Sequence, residues 1–140
     1  MSSPADPPPI LVVEDESLIR DLIEDALEEG GYVVTLASSG SDAVKRLEDR
    51  ALAFSAMVTD IDLGAGPSGW EVARAARRVR PGLSVIYMSG ASADGWSAEG
   101  VPDSVMVSKP FAPAQLVITV ATQITAATTA AEGRPDGRLG

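Results

Sequence analysis

Short apolar runs alternate along the chain with longer stretches of helical period. Ile10-Leu11-Val12-Val13 is apolar throughout and stops at Glu14-Asp15-Glu16; a four-residue run of this kind reads as a strand buried on both faces. From Ser17 the period changes. Leu18, Ile19, Leu22, Ile23, Ala26 and Leu27 fall on one helical face, expected to turn inward, and Gly30-Gly31 supplies the stop. The alternation then repeats. Tyr32 to Ala37 predicts a strand and Ser39 to Glu48 a helix with Ala43, Val44 and Leu47 inward. Ala56 to Thr59 is a buried strand ending at Asp60. A glycine-rich loop, Leu63 to Gly69, leads into a helix over 70–80 with Val72, Ala73, Ala76 and Val79 inward. Leu83 to Met88 is a fourth strand, ending at Ser89-Gly90, and Val105 to Val107 a fifth, ending at Ser108-Lys109-Pro110. Ala91 to Gly100 between them has poor period and a central glycine. Pro113 opens a last helix whose apolar face is Leu116, Val117, Val120, Ala121 and Ile124. Five short strands alternating with helices predict an α/β fold around a parallel sheet with right-handed crossovers.

A chain of 140 residues is one domain's worth. Its flanks differ from its middle: Met1 to Pro9 contains four prolines, and Glu132 to Gly140 three glycines and a proline. The expected division is a disordered arm over 1–8, a folded unit over 9–131 and a flexible tail over 132–140. The balance of 11 Lys+Arg against 20 Asp+Glu gives −9, which argues against nucleic-acid binding and against docking on anionic lipid. No apolar run reaches the ~18 residues of a membrane span, and the start has no apolar signal segment. With no Cys, the chain is expected in the cytoplasm. It has no His either, so thiol catalysis, Ser-His-Asp triads, HExxH metal sites and phosphohistidine on this chain are excluded. What remains is Asp, Glu, Ser, Thr and Lys chemistry, with any metal a hard oxygen-bound ion such as Mg²⁺.

Ligands of open α/β sheets bind past the carboxyl ends of the strands. Those positions hold Glu14-Asp15, Asp60, Ser89 and Lys109. Clustered carboxylates repel, and a Mg²⁺ ion relieves that repulsion with carboxylates, waters and phosphate oxygens around it. Lysine and serine complement the remaining phosphoryl oxygens, and an aspartate can be the nucleophile of an aspartyl-phosphate.

LVVEDE, VTDIDL, MSG and SKPF, in this order at the strand ends, resemble the receiver domain of bacterial two-component response regulators, over about Pro9 to Ala130. The resemblance implies a three-layer, doubly wound, flavodoxin-like fold whose five parallel strands run in the order 2-1-3-4-5. It implies that Asp60 is the phosphoacceptor, with Asp15 a direct Mg²⁺ ligand, Glu14 acting through water and the backbone carbonyl of Asp62 as a further ligand. Mn²⁺ is the alternative ion. Ser89 and Gly90 match the phosphoryl-binding switch segment, Lys109 the lysine that pairs with a phosphoryl oxygen, and Lys109-Pro110 a cis peptide. The implied partners are a histidine kinase or histidine phosphotransfer protein as donor and a downstream protein as target; a second copy of the chain is a further candidate. Such a protein is no turnover enzyme, although it catalyses its own phosphorylation and dephosphorylation.

Three departures stand out. The loop LGAGPSG (63–69) lacks the usual Met-Pro and Asp-Gly and is about one residue longer. The segment after Ser89 predicts a reduced fourth helix. Met106, three residues before Lys109, stands at the switch position where the family usually has Tyr or Phe. The last two alter the expected output surface. No effector domain fits in the tail, so output is expected through protein contact, or the chain is a piece of a hybrid kinase. Two other readings compete. Asp60-Ile61-Asp62 has the DxD of haloacid-dehalogenase-type phosphatases, but it follows the third strand rather than the first, and Gly64 stands where that family has Thr or Val. The other is a non-phosphorylated binding module, which intact Glu14, Asp15, Asp60, Ser89 and Lys109 argue against. Trp70 and Trp96 read as packing or surface residues.

Overall fold

Five strands carry the molecule: β1 (Pro9–Val13), β2 (Val33–Ala37), β3 (Ala56–Asp60), β4 (Ser84–Ser89) and β5 (Val105–Ser108). The computed structural model describes residues 7–49, 51–90 and 96–132. All pairings are parallel and the order is β2-β1-β3-β4-β5. The helices are α1 (Ser17–Glu29), α2 (Gly40–Glu48), α3 (Gly69–Val79), α4 (Trp96–Glu99) and α5 (Pro113–Glu132). This is the doubly wound flavodoxin-like arrangement that the receiver-domain resemblance implies.

Strand side chains alternate between faces. Leu11, Val13, Met57, Val85 and Tyr87 pack with Ala43 and Leu47 of α2 and Val72, Ala73 and Ala76 of α3. Ile10, Val12, Val58, Ile86 and Met88 pack with Ile23 and Leu27 of α1 and Leu116 and Val120 of α5. Both cores are therefore read from one set of apolar runs. The helix starts follow local chemistry. Ser39 caps α2 by accepting from the Asp42 N–H, and Ser68 with Glu71 closes a capping box on α3.

Two helices depart from the expected inward faces. Leu18 is 79 % and Leu22 57 % exposed, while Ile23 and Leu27 are buried. Val79, in the last turn of α3, is 44 % exposed. An apolar arc of six residues on α1 is wider than the line along which a helix meets a sheet. The part turned away from β1, β2 and α5 stays uncovered among the described residues. Among the described residues α4 has four residues, and the part of the weak segment over 91–95 lies outside them. So do residues 1–6 of the expected arm and 133–140 of the expected tail. Within the described part, the Pro8 carbonyl already accepts from the Val33 N–H, and Glu132 closes α5.

Gly69 sets α3 against the site. A Cβ there would lie 2.2 Å from the Asp60 carbonyl oxygen and 2.7 Å from the Ile61 Cα, both backbone atoms that cannot rotate away. Gly69→Ala is expected to cost about 2 kcal/mol of stability through forced separation of α3 from β3. Thermal unfolding checks this, and an unchanged melting temperature would contradict it.

Candidate functional site

Register places the strand-end residues side by side. Val13 pairs with Thr59, Asp60 with Met88 and Ser89 with Ser108. The ladder runs on past the strands: Glu14 N–H donates to the Ala37 carbonyl, Ile61 N–H to Met88 and Lys109 N–H to Ser89. Glu14, Asp60 and Lys109 thus project from hydrogen-bonded backbone rather than from free loop. The Lys109–Pro110 peptide is cis.

One carboxylate oxygen each from Glu14, Asp15 and Asp60 lies within 4.8 Å of the others. Glu14 and Asp60 are buried and Asp15 is exposed. Lys109 Nζ stands between the two buried groups, 3.1 Å from Glu14 Oε1 and 3.2 Å from Asp60 Oδ2. Glu14 Oε2 accepts from the Glu16 N–H at 3.1 Å. Asp62 is exposed in the following loop, and its backbone N–H bonds to the Asp60 carboxylate. Ser89 is buried at the end of β4, and Gly90 is exposed. Met106, half-buried, pairs across the sheet with Tyr87 and packs against the core on that face.

Two residues act here that the sequence reading did not single out. Arg20 of α1 donates from its guanidinium to the Glu14 carbonyl at 2.9 Å, bracing the loop that carries the acidic pair. Its position one helical turn after the acidic run was the available signal. Thr59 is the other: its hydroxyl donates to the Asp60 carbonyl at 2.8 Å. Beside Lys109 runs an apolar groove of about 370 Å³, lined by Ile19, Leu22, Pro110 and Phe111.

Burial pushes the Glu14 carboxyl up to about 7, and the neighbouring Asp60 charge adds to this against the Glu16 and Lys109 hydrogen bonds. Burial also raises Asp60, opposed by the Lys109 ammonium. For Lys109, burial alone lowers the pKa; the hydrogen bond to Glu14 and the charges of Asp60 and Glu14 outweigh it, and the net direction is upward. A carboxyl raised in the folded state binds its proton more tightly there than in the unfolded chain. Its stabilising effect is complete below the unfolded value of 4.5 and is lost as pH rises through about 7. Without divalent cation, the protein is therefore expected to lose up to about 3 kcal/mol between pH 4.5 and 8 from Glu14. Glu14→Gln should flatten this slope in melts across that range. An unaltered slope would show that Glu14 does not carry it.

The donor set suits a hard divalent cation. Three carboxylates, two of them buried beside a single lysine, leave excess negative charge that such an ion neutralises. Acid oxygens without sulfur or imidazole favour Mg²⁺-like ions over softer metals.

This fold with this acidic pocket defines a class. Residues 10–121 match the family model of the response regulator receiver domain. The chain belongs to that family. It is 32 % identical over 120 residues to the response regulator receiver protein CpdR of Brucella abortus, covering 84 % of this chain and 98 % of that one. A crystal structure of a response regulator receiver protein from Sinorhizobium medicae superposes with a TM-score of 0.84 at 38 % identity, covering 87 % of this chain and 98 % of the other. The receiver domain of a sensor histidine kinase from Pseudomonas aeruginosa, with a magnesium ion coordinated in its active-site cleft, superposes with a TM-score of 0.73 at 26 % identity, over 85 % and 98 % of the two chains.

Proposed function

We propose that Asp60 accepts a phosphoryl group, in a Mg²⁺-dependent reaction, from a phosphohistidine on a histidine kinase or phosphotransfer protein. The observation that carries this is the buried pair Glu14 and Asp60 joined through Lys109 at the carboxyl edge of the sheet. An Asp60 carboxylate oxygen attacks phosphorus in line, the phosphorus–nitrogen bond to the donor imidazole breaks, and the imidazole keeps the electron pair and takes a proton. The product is an acyl phosphate on Asp60. Glu14, Asp15, Asp60 and the Asp62 backbone carbonyl would hold the ion, Mg²⁺ or alternatively Mn²⁺, which would neutralise charge on the phosphoryl oxygens. Lys109 leaves the two carboxylates for a phosphoryl oxygen, and Ser89, with Gly90 beside it, closes on another. Exposed Leu18 and Leu22 and the groove beside Lys109 offer the donor protein an apolar landing continuous with the site. The altered surface is read by a downstream protein, and hydrolysis of the acyl phosphate resets it.

No helix among the described residues is long and apolar enough to cross a membrane. The absence of cysteine fits action in the cytoplasm.

Incubation with Mg²⁺ and acetyl phosphate, followed by intact mass, tests the reading. One persistent added phosphoryl group per chain is expected. Steady phosphate release without a labelled state would favour a phosphatase, and no label a binding module. Asp15→Asn is expected to weaken Mg²⁺ binding about 10-fold or more by titration calorimetry, since it removes a direct anionic ligand. Equal affinity would contradict that role.

A further inference from the structure

The segment over 96–104 is attached to the body of the protein mostly by polar side chains. Within the segment, Trp96 Nε1 donates to Ser104 Oγ at 3.0 Å and Ser104 Oγ donates to the Val101 carbonyl at 2.6 Å; the bonds to the body come from α3 and β4. Arg74 of α3 donates to the Glu99 carbonyl at 3.2 Å and pairs with the Glu99 carboxylate. Arg77, one turn further on, donates to the Pro102 carbonyl at 2.7 Å. Val101 is the segment's buried apolar anchor, and its N–H donates to the hydroxyl of Tyr87 at 3.1 Å.

Tyr87 differs from the other attachments. It is fully buried, it belongs to β4, and it lies two residues before Ser89 on the same face of the strand. Its ring packs on Trp70 of α3, with centroids 4.7 Å apart. Across the sheet it faces Met106, a flexible side chain without a hydroxyl and unable to hold a hydrogen bond in either of two positions. A buried tyrosine hydroxyl whose partner is a backbone N–H of a separate segment has two discrete states, bonded or broken.

We propose that Tyr87 is the latch between the phosphoryl site and the segment over 96–104. In the resting protein its hydroxyl holds Val101. A shift of the Ser89 end of β4 on phosphorylation carries Tyr87 with it and breaks that bond, leaving the segment to the Val101 side chain and the exposed arginine contacts. Met106 fills space and does not switch. The coupling rests on Asp60 being the phosphoacceptor; the resting latch does not.

Hydrogen exchange on the full chain tests both, with and without Mg²⁺ and beryllofluoride as the phosphoryl mimic. Fluorine NMR scores mimic binding separately, with Asp60→Asn as its negative control. In the wild type, the mimic is expected to speed exchange at Val101. In Tyr87→Phe, Val101 is expected to exchange about 3- to 10-fold faster without the mimic, the worth of one net hydrogen bond, and to change little on adding it. Unchanged exchange in β1 and β3 verifies the fold of the variant, and Met106→Leu should respond like the wild type. Wild-type protection of Val101 in Tyr87→Phe would overturn the latch. A full mimic response in Tyr87→Phe, or its loss in Met106→Leu, would overturn the coupling. Failure of the mimic to bind would instead overturn the phosphoacceptor reading, and the coupling with it, while the resting comparison still decides the latch.

Discussion

Asp60→Asn is expected to abolish phosphoryl uptake, with a loss of at least about 10³-fold in rate, while the fold persists. The substitution keeps the side-chain volume and removes the anionic oxygen that must attack phosphorus. Among the described residues no other acid is placed to replace it. Asp15 is exposed at the rim, and Glu14 already receives both the Glu16 N–H and the Lys109 ammonium. The variant should also melt higher than the wild type at pH 8 without divalent cation, because one of two buried carboxylates is gone and Lys109 still serves the other. Acetyl phosphate labelling followed by intact mass checks the first statement and calorimetry the second. Labelling at the wild-type rate would remove Asp60 from the reaction.

Lys109→Ala should separate metal binding from chemistry. The ammonium bridges Glu14 and Asp60 and so occupies the region where a cation would be attracted. Its loss should leave Mg²⁺ affinity equal or raised, since a competing positive charge is removed. Phosphorylation should nevertheless slow about 10²-fold, the usual cost of deleting one donor that meets developing charge in a transition state. Stability without metal should fall, and more at pH 8 than at pH 6. At the lower pH the buried Glu14 carboxyl takes a proton and needs no cation; at the higher pH it is an anion with its counter-charge gone. Labelling kinetics, calorimetric titration with Mg²⁺ and melts at the two pH values provide the checks. Wild-type labelling, or collapse of Mg²⁺ binding, would contradict the role.

Much of this was legible in the chain itself. The strands are apolar runs, and a run buried on both faces leaves its polar residues no place except past its end. That is why Glu14, Asp60, Ser89 and Lys109 could be singled out together and why the α/β class followed.

Other features were decided by contacts that no local pattern encodes. Lys109 meets Glu14 across 95 residues of chain and Asp60 across 49, and only the strand order and register bring them to hydrogen-bond distance. The sequence offered Lys109 as a partner for an incoming phosphoryl group. Tertiary structure adds that the same ammonium holds the two buried acids in the resting protein. The hydroxyl of Tyr87 finds the Val101 N–H in the same way, while its place in β4 marked it only as a core aromatic. The period of α1 defined an apolar arc, but an arc does not say what covers it; the sheet and α5 take Ile23 and Leu27 and leave Leu18 and Leu22 to solvent. Hydrophobic periodicity thus determined the elements and the residues at their ends. Packing determined which of those residues touch, because a buried charge is stabilised only by a partner that the whole fold must deliver.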